Sequence, residues 1–147
     1  MNKVTQSIYK NAIDNSLFDN NGNFRFIVGD GTAGNISGMT VTSSKWSLNG
    51  SNLMFEILGS FRGSLSGFDI LSTFTLPEWI VNKIAKPVSN IIDILTCDMV
   101  STKDAASTHT KLQVTTDGIN IYFTNATNVN VNDLSVFKIR YNIIIDY

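Results

Sequence analysis

The chain has 147 residues, and it is poor in the residues on which most protein chemistry depends. A single cysteine, Cys97, excludes an internal disulfide and any thiolate metal cage. A single histidine, His109, excludes the usual two- or three-histidine metal sites. Glu56 and Glu78 are the only glutamates, so carboxylate pairs for acid/base work are scarce. Charged residues make up 16% of the chain, against a usual share of about 25%. With 11 basic and 12 acidic residues the net charge is −1, and no basic stripe exists to displace counterions from a nucleic acid. No apolar run approaches the ~18–20 residues that a membrane helix needs. The N-terminal Met1-Asn2-Lys3-Val4 has no apolar signal core, so synthesis in a cytoplasm without secretion is expected. There are two prolines and no Pro/Gly linker, which points to a single domain over 1–147.

What fills the gap is asparagine, serine and threonine, 46 residues in all. The hydrophobic share is 43%, enough for a proper core under a polar but uncharged surface. Short β-branched and aromatic runs alternate with glycine-rich breaks at 29–38 and 59–67, the signature of an all-β chain.

Two hairpins stand out. Asp117-Gly118 matches a type I′ turn and predicts Val114 opposite Ile121 and Leu112 opposite Phe123. The second hairpin, over 40–58, has a four-residue loop that pairs Leu48 with Leu53 and Trp46 with Phe55, apolar against apolar. Phe68–Phe74 reads as a strand, and Ile91–Val100 as one buried on both faces that encloses Cys97 as a reduced thiol. The last strand alternates Phe137, Ile139, Tyr141, Ile143, Ile145 and Tyr147 against polar positions, with Ile144 breaking the polar side. Thr75-Leu76-Pro77-Glu78 fits a capping box, predicting one short helix near 76–85 that turns Trp79, Ile80 and Ile84 to the sheet. Residues 5–17 fit a helical face or an alternating strand, and 1–22 is either an attachment segment or irregular.

The motifs that carry chemistry are weak. Gly29-Asp30-Gly31-Thr32-Ala33-Gly34 spells G-x-G-x-x-G, but the residues that follow are poor helix formers, so no helix N-terminus would cradle a phosphate. A flexible turn is the expectation there. Asp19–Asn23 lacks the leading acid of a calcium loop. His109 sits in a polar stretch expected to be an exposed loop, and no G-x-S-x-G elbow is present. No cofactor, no metal and no enzymatic activity are expected.

From Trp46 onward, Lys45–Leu53, Phe74-Thr75-Leu76-Pro77, Thr116–Tyr122 and Phe137–Tyr141 resemble the β-sandwich or jelly-roll heads of tailed-bacteriophage fibre and receptor-binding proteins. The resemblance is one of rhythm and composition over about two-thirds of the chain. It implies an antiparallel, jelly-roll-like sandwich in a virion appendage, a homotrimer that contacts other virion proteins and binds a host-surface glycan or protein without chemistry. A carbohydrate-binding or adhesin module of a bacterium is the alternative. Candidate receptor contacts are Lys103, Asp104, His109 and Tyr122. Candidate subunit contacts are Phe137, Tyr141, Ile144 and Tyr147.

Overall fold

A computed structural model describes residues 21–23 and 25–146. The expectations for 5–17 and for Tyr147 lie outside the described residues. Among the described residues nine strands run in chain order as β1 (Phe26–Asp30), β2 (Thr32–Ala33), β3 (Met39–Asn49), β4 (Asn52–Leu65) and β5 (Ile70–Thr75), then β6 (Ile91–Ser101), β7 (Ser107–Thr116), β8 (Asn120–Asn125) and β9 (Val129–Ile144). A one-turn helix α1 (Glu78–Val81) lies between β5 and β6. Every pairing is antiparallel, in the order β1-β3-β4-β9-β6-β7-β8-β5-β2. The all-β, antiparallel expectation holds.

The sheet folds over at β9–β6, where only Met99–Ser101 pair with Ser135–Phe137. This hinge makes two layers, β1-β3-β4-β9 and β6-β7-β8-β5-β2. Their inner faces meet in an aromatic cluster. The Phe55 ring lies 5.0 Å from Phe74 and 5.5 Å from Phe123 across the layers, and 6.5 Å from Tyr141 within its own. Edge-on and tilted ring contacts of this kind suit the aromatic quadrupole and fill the core densely.

The layers are closed on the far side by a single segment. The chain leaves β1 at one edge and enters β2 at the other, crossing at Gly31, whose N–H donates to the Ser44 carbonyl at 2.8 Å. A Cβ on Gly31 would overlap Ser44 Oγ and lie 2.6 Å from the Phe74 ring, and one on Gly29 would overlap the Trp46 ring. The glycines of the G-x-G-x-x-G stretch therefore serve close approach in a packed seam. The flexible turn expected there is corrected, and no helix follows.

Four further readings are settled locally. The 49–52 hairpin has the expected register, with Trp46 opposite Phe55 and Leu48 opposite Leu53. The 116–121 hairpin keeps its faces but shifts register by two. Val114 meets Phe123, Leu112 meets Asn125, and the loop has four residues. Only Gly118 has positive φ (94°), so the type I′ turn is corrected. The reason is Asp117, whose Oδ1 accepts the N–H groups of Ile119 (3.0 Å) and Asn120 (2.7 Å) and so fastens a longer loop.

The capping box also fails. Thr75 stays in β5 opposite Asn120, donates its hydroxyl to Asn120 Oδ1 at 2.6 Å, and leaves Pro77 at the helix N-cap without a side-chain cap. Ile80, Val81 and Ile84 are buried, while Trp79 is half-buried under the Arg25 guanidinium. Strand β6 is not buried on both faces. A register shift after Ile91 and the short β9 contact leave Ile94 exposed, although Cys97 is buried as expected and its thiol is pushed up to about 12 by that burial and by Asp98.

Candidate functional site

Because side chains alternate along each strand, each layer presents one outer face built from cross-strand rows. On the β1-β3-β4-β9 layer one row is Asp30–Lys45–Glu56–Arg140, alternating in sign across four strands. Arg140 Nη2 donates to Glu56 Oε2 at 2.7 Å, which holds the Glu56 carboxyl below its ordinary range. The neighbouring rows are Val28–Ser47–Met54–Asn142 and Phe26–Asn49–Asn52–Ile144. A hollow of about 600 Å³ lies over Val28, Lys45, Met54 and Glu56. Its charged groups stand next to one another in alternating sign, and its margins are apolar, with Phe26 66% and Ile144 72% exposed.

The opposite layer differs. Its outer rows are Ile91–Thr115–Tyr122–Thr73 and Gln113–Thr124–Ile70, with Ile94 opposite Gln113. A groove of about 440 Å³ is lined by Phe68, Ile70, Asn90, Ile91, Gln113, Thr115, Tyr122 and Thr124. None of the eight carries a charge. The side chains of Asn90, Gln113 and Thr115 have no hydrogen-bond partner among the described residues, so their donors and acceptors face solvent. Groove volume and the mix of aromatic, aliphatic, amide and hydroxyl groups match a small-ligand site.

Phe68 is the unusual member. It is 84% exposed and adopts φ 70°, a left-handed conformation that costs a bulky residue on the order of 1–3 kcal/mol. The surroundings impose it. Phe68 N–H donates to the Asn125 carbonyl at 2.7 Å, and Asn125 N–H returns to the Asp69 carbonyl at 2.7 Å. Asn125 is fully buried, and its Nδ2 donates to the Ser66 and Thr127 carbonyls, both at 2.8 Å. Ser66 N–H donates to Asp69 Oδ2 and Gly67 N–H to Asn128 Oδ1, each at 2.8 Å. A rigid loop thus holds an aromatic ring in water beside the groove. The expected strand at 68–74 begins only at Ile70.

At the other wall, the Tyr122 hydroxyl donates to Asp117 Oδ2 at 2.7 Å, fixing the ring. The Asn120 N–H, the Tyr122 hydroxyl and the Ile119 N–H hold the Asp117 carboxyl well below the usual carboxylate range, and that carboxylate in turn raises the Tyr122 hydroxyl.

The sequence candidates scatter. Tyr122 lines the groove. Lys103 and Asp104 lie in the exposed β6–β7 loop, where Asp104 Oδ1 accepts the Ala106 N–H at 3.0 Å. His109 belongs to strand β7 rather than a loop, and its Nδ1 pairs with Asp98 Oδ1 across to β6. It stands four residues along β7 from Gln113, roughly 14 Å at strand rise. Among the subunit candidates, Phe137 is buried. Tyr141 is half-buried, stacked on Phe55, and donates its hydroxyl to Asp93 Oδ2 at 2.9 Å. Burial and the Asp93 carboxylate raise that hydroxyl. Ile144 points outward. Phe68, Gln113 and Asn90 were missed. The one sequence signal for Phe68 was Ser66-Gly67-Phe68-Asp69, a turn sequence with a large aromatic inside it.

Among the described residues no three His, Cys, Asp or Glu side chains stand close enough to hold a metal, and no helix is long and apolar enough to cross a membrane. No family model matches the sequence, and no curated protein matches it. Among solved structures, the chain is similar to the bovine atadenovirus type 4 fibre head protein at 8% identity and a TM-score of 0.37, over 72% of this chain and 96% of that one. It is also similar to the reovirus attachment protein sigma1, solved in complex with alpha-2,3-sialyllactose, at 8% identity and a TM-score of 0.43, over 82% of this chain and 63% of that one. At these scores neither likeness carries an argument about what this chain does.

Proposed function

We propose that the chain is the receptor-binding head of a bacteriophage fibre, a virion component that attaches to a host-surface molecule without chemistry. The observation that carries this reading is the Phe68 groove. A strained, solvent-exposed aromatic is held by a buried asparagine beside unpartnered amide and hydroxyl groups, on the face of a rigid sandwich. Strain retained at an exposed aromatic has no packing benefit to offset it, which is the pattern of a binding surface. Preorganisation of this kind lowers the entropy lost on binding.

In the same reading the other outer face, margined by Phe26, Val28 and Ile144, packs against copies of the chain in a homotrimer. Phe26, Val28 and Ile144 are apolar side chains left in water that a subunit contact would cover. Residues 1–22 join the head to other virion proteins, and Lys103, Asp104 and His109 form the far rim of the receptor face.

Labelled protein applied to a panel of intact bacterial strains, with its mass followed by light scattering, tests the reading. Saturable binding to a subset of strains by a species of three chains is expected. A chain that stays monomeric at micromolar concentration and binds no strain would overturn it.

A further inference from the structure

The lining of the Phe68 groove narrows the chemistry of its ligand, and this step rests on the attachment reading above. We propose that the groove binds a neutral saccharide, with Phe68 and Tyr122 against the C–H faces of the sugar and Asn90, Gln113 and Thr115 bonding its hydroxyls.

Three observations converge. First, no lining residue is charged, so an anionic group would lose water in the groove without gaining a cation. The nearest fixed charge at the Tyr122 wall is the Asp117 carboxylate, held ionised by two backbone N–H groups and the Tyr122 hydroxyl, and it repels anions. Lys111 stands two residues before Gln113 on the same face of β7 but is not part of the lining. Second, the lining groups without a partner among the described residues are the amides and hydroxyl of Asn90, Gln113 and Thr115, each able to donate and accept. That is the complement of a sugar hydroxyl, which does both. Third, the groove lies on a sheet face over β7 and β8, each of which is hydrogen-bonded to a strand on either side there. A peptide lying over β7 and β8 finds no open edge to add to, and the edge of β6 left unpaired before Met99 faces away from β7 and the groove. A flat ring with an apolar face and a hydroxylated rim fits what remains.

The full-length chain would be titrated with lactose and maltose, and with sialyllactose as the charged counterpart. Binding of one or both neutral disaccharides is expected, with sialyllactose weaker. Phe68→Ala should weaken neutral-sugar binding roughly tenfold or more, and Gln113→Ala a few-fold. Because Phe68 is solvent-exposed, its variant should keep the wild-type circular dichroism and melting profile. Preference for sialyllactose would overturn the proposal, as would neutral-sugar binding that both variants leave intact. Failure to bind either neutral sugar while intact cells are still bound through Phe68 would overturn the saccharide assignment and leave the attachment reading standing. Loss of cell binding by the wild-type chain would remove both.

Discussion

The two outer faces of the sandwich follow the same period-two rule and carry opposite contents. On the β1-β3-β4-β9 face charges of alternating sign stand in one row, Asp30–Lys45–Glu56–Arg140, in which Arg140 is bonded to Glu56, and the margins are apolar. On the β6-β7-β8-β5 face the groove carries no charge, and the amides and hydroxyl of Asn90, Gln113 and Thr115 have no partners among the described residues. A face that carries charged groups must strip water from them when a neutral ligand arrives. A face with unpaired neutral groups exchanges water for ligand at small cost. Position in the sheet decides which side chains point out, and the charge they carry decides what the face can do.

The most severe way to break this comparison is to remove the core that holds both faces. Phe55→Ala deletes the ring shared by Phe74, Phe123 and Tyr141, and should cost roughly 3–5 kcal/mol in a denaturant titration. Both faces should fail together. A melting temperature equal to wild type would mean the layers are not held through this cluster. Next comes the seam. Gly31→Val drives side-chain atoms into Ser44 and Phe74, and should destabilise by about 1–3 kcal/mol through overpacking. An unchanged midpoint would show that the crossing segment is not packed as described.

Acid sharpens the contrast more gently. Glu56 and Asp117 both have folded pKa values depressed below their unfolded ones, by Arg140 in the first case and chiefly by the Asn120 N–H in the second. Stability from these groups is therefore present above the unfolded carboxylate range and lost as pH falls from there through the lower folded values. Thermal melts from pH 7 to pH 3 should fall, and Glu56→Gln should flatten part of that fall while costing at most about 1 kcal/mol at neutral pH. A Glu56→Gln variant with the full wild-type acid dependence would remove Glu56 from the account. The smallest change in stability should come from Ile144→Asp, within about 0.5 kcal/mol because the side chain is 72% exposed. Its effect should appear instead in the assembly state by light scattering, and a variant that assembles like wild type would take Ile144 out of the subunit contact.

Much of the fold was legible because it rests on local alternation. The Leu48–Leu53 and Trp46–Phe55 pairs follow from burial alone, since a tight two-residue turn would set Leu48 against a serine. The inward faces of β7 and β8 were legible for the same reason. Their register was not, because a shift of two preserves every face and the deciding contact is the Asp117 carboxylate on its own loop. The Gly29–Gly34 segment was misread because its glycines serve contacts with Trp46 and Phe74, far away in sequence. Thr75 satisfies a capping pattern, yet its pairing with Asn120 overrides it. Of the candidate site only Tyr122 was visible. Phe68 takes its meaning from Asn125, which lies 57 residues downstream and is fully buried.

The uncharged groove beside Phe68 is the surface proposed to touch the host. It is tested most directly by the saturation binding of labelled protein to intact bacterial cells, comparing wild type with Phe68→Ala. The account predicts a loss of affinity of about tenfold or more in the variant, with the fold intact. Equal binding by wild type and Phe68→Ala would contradict it.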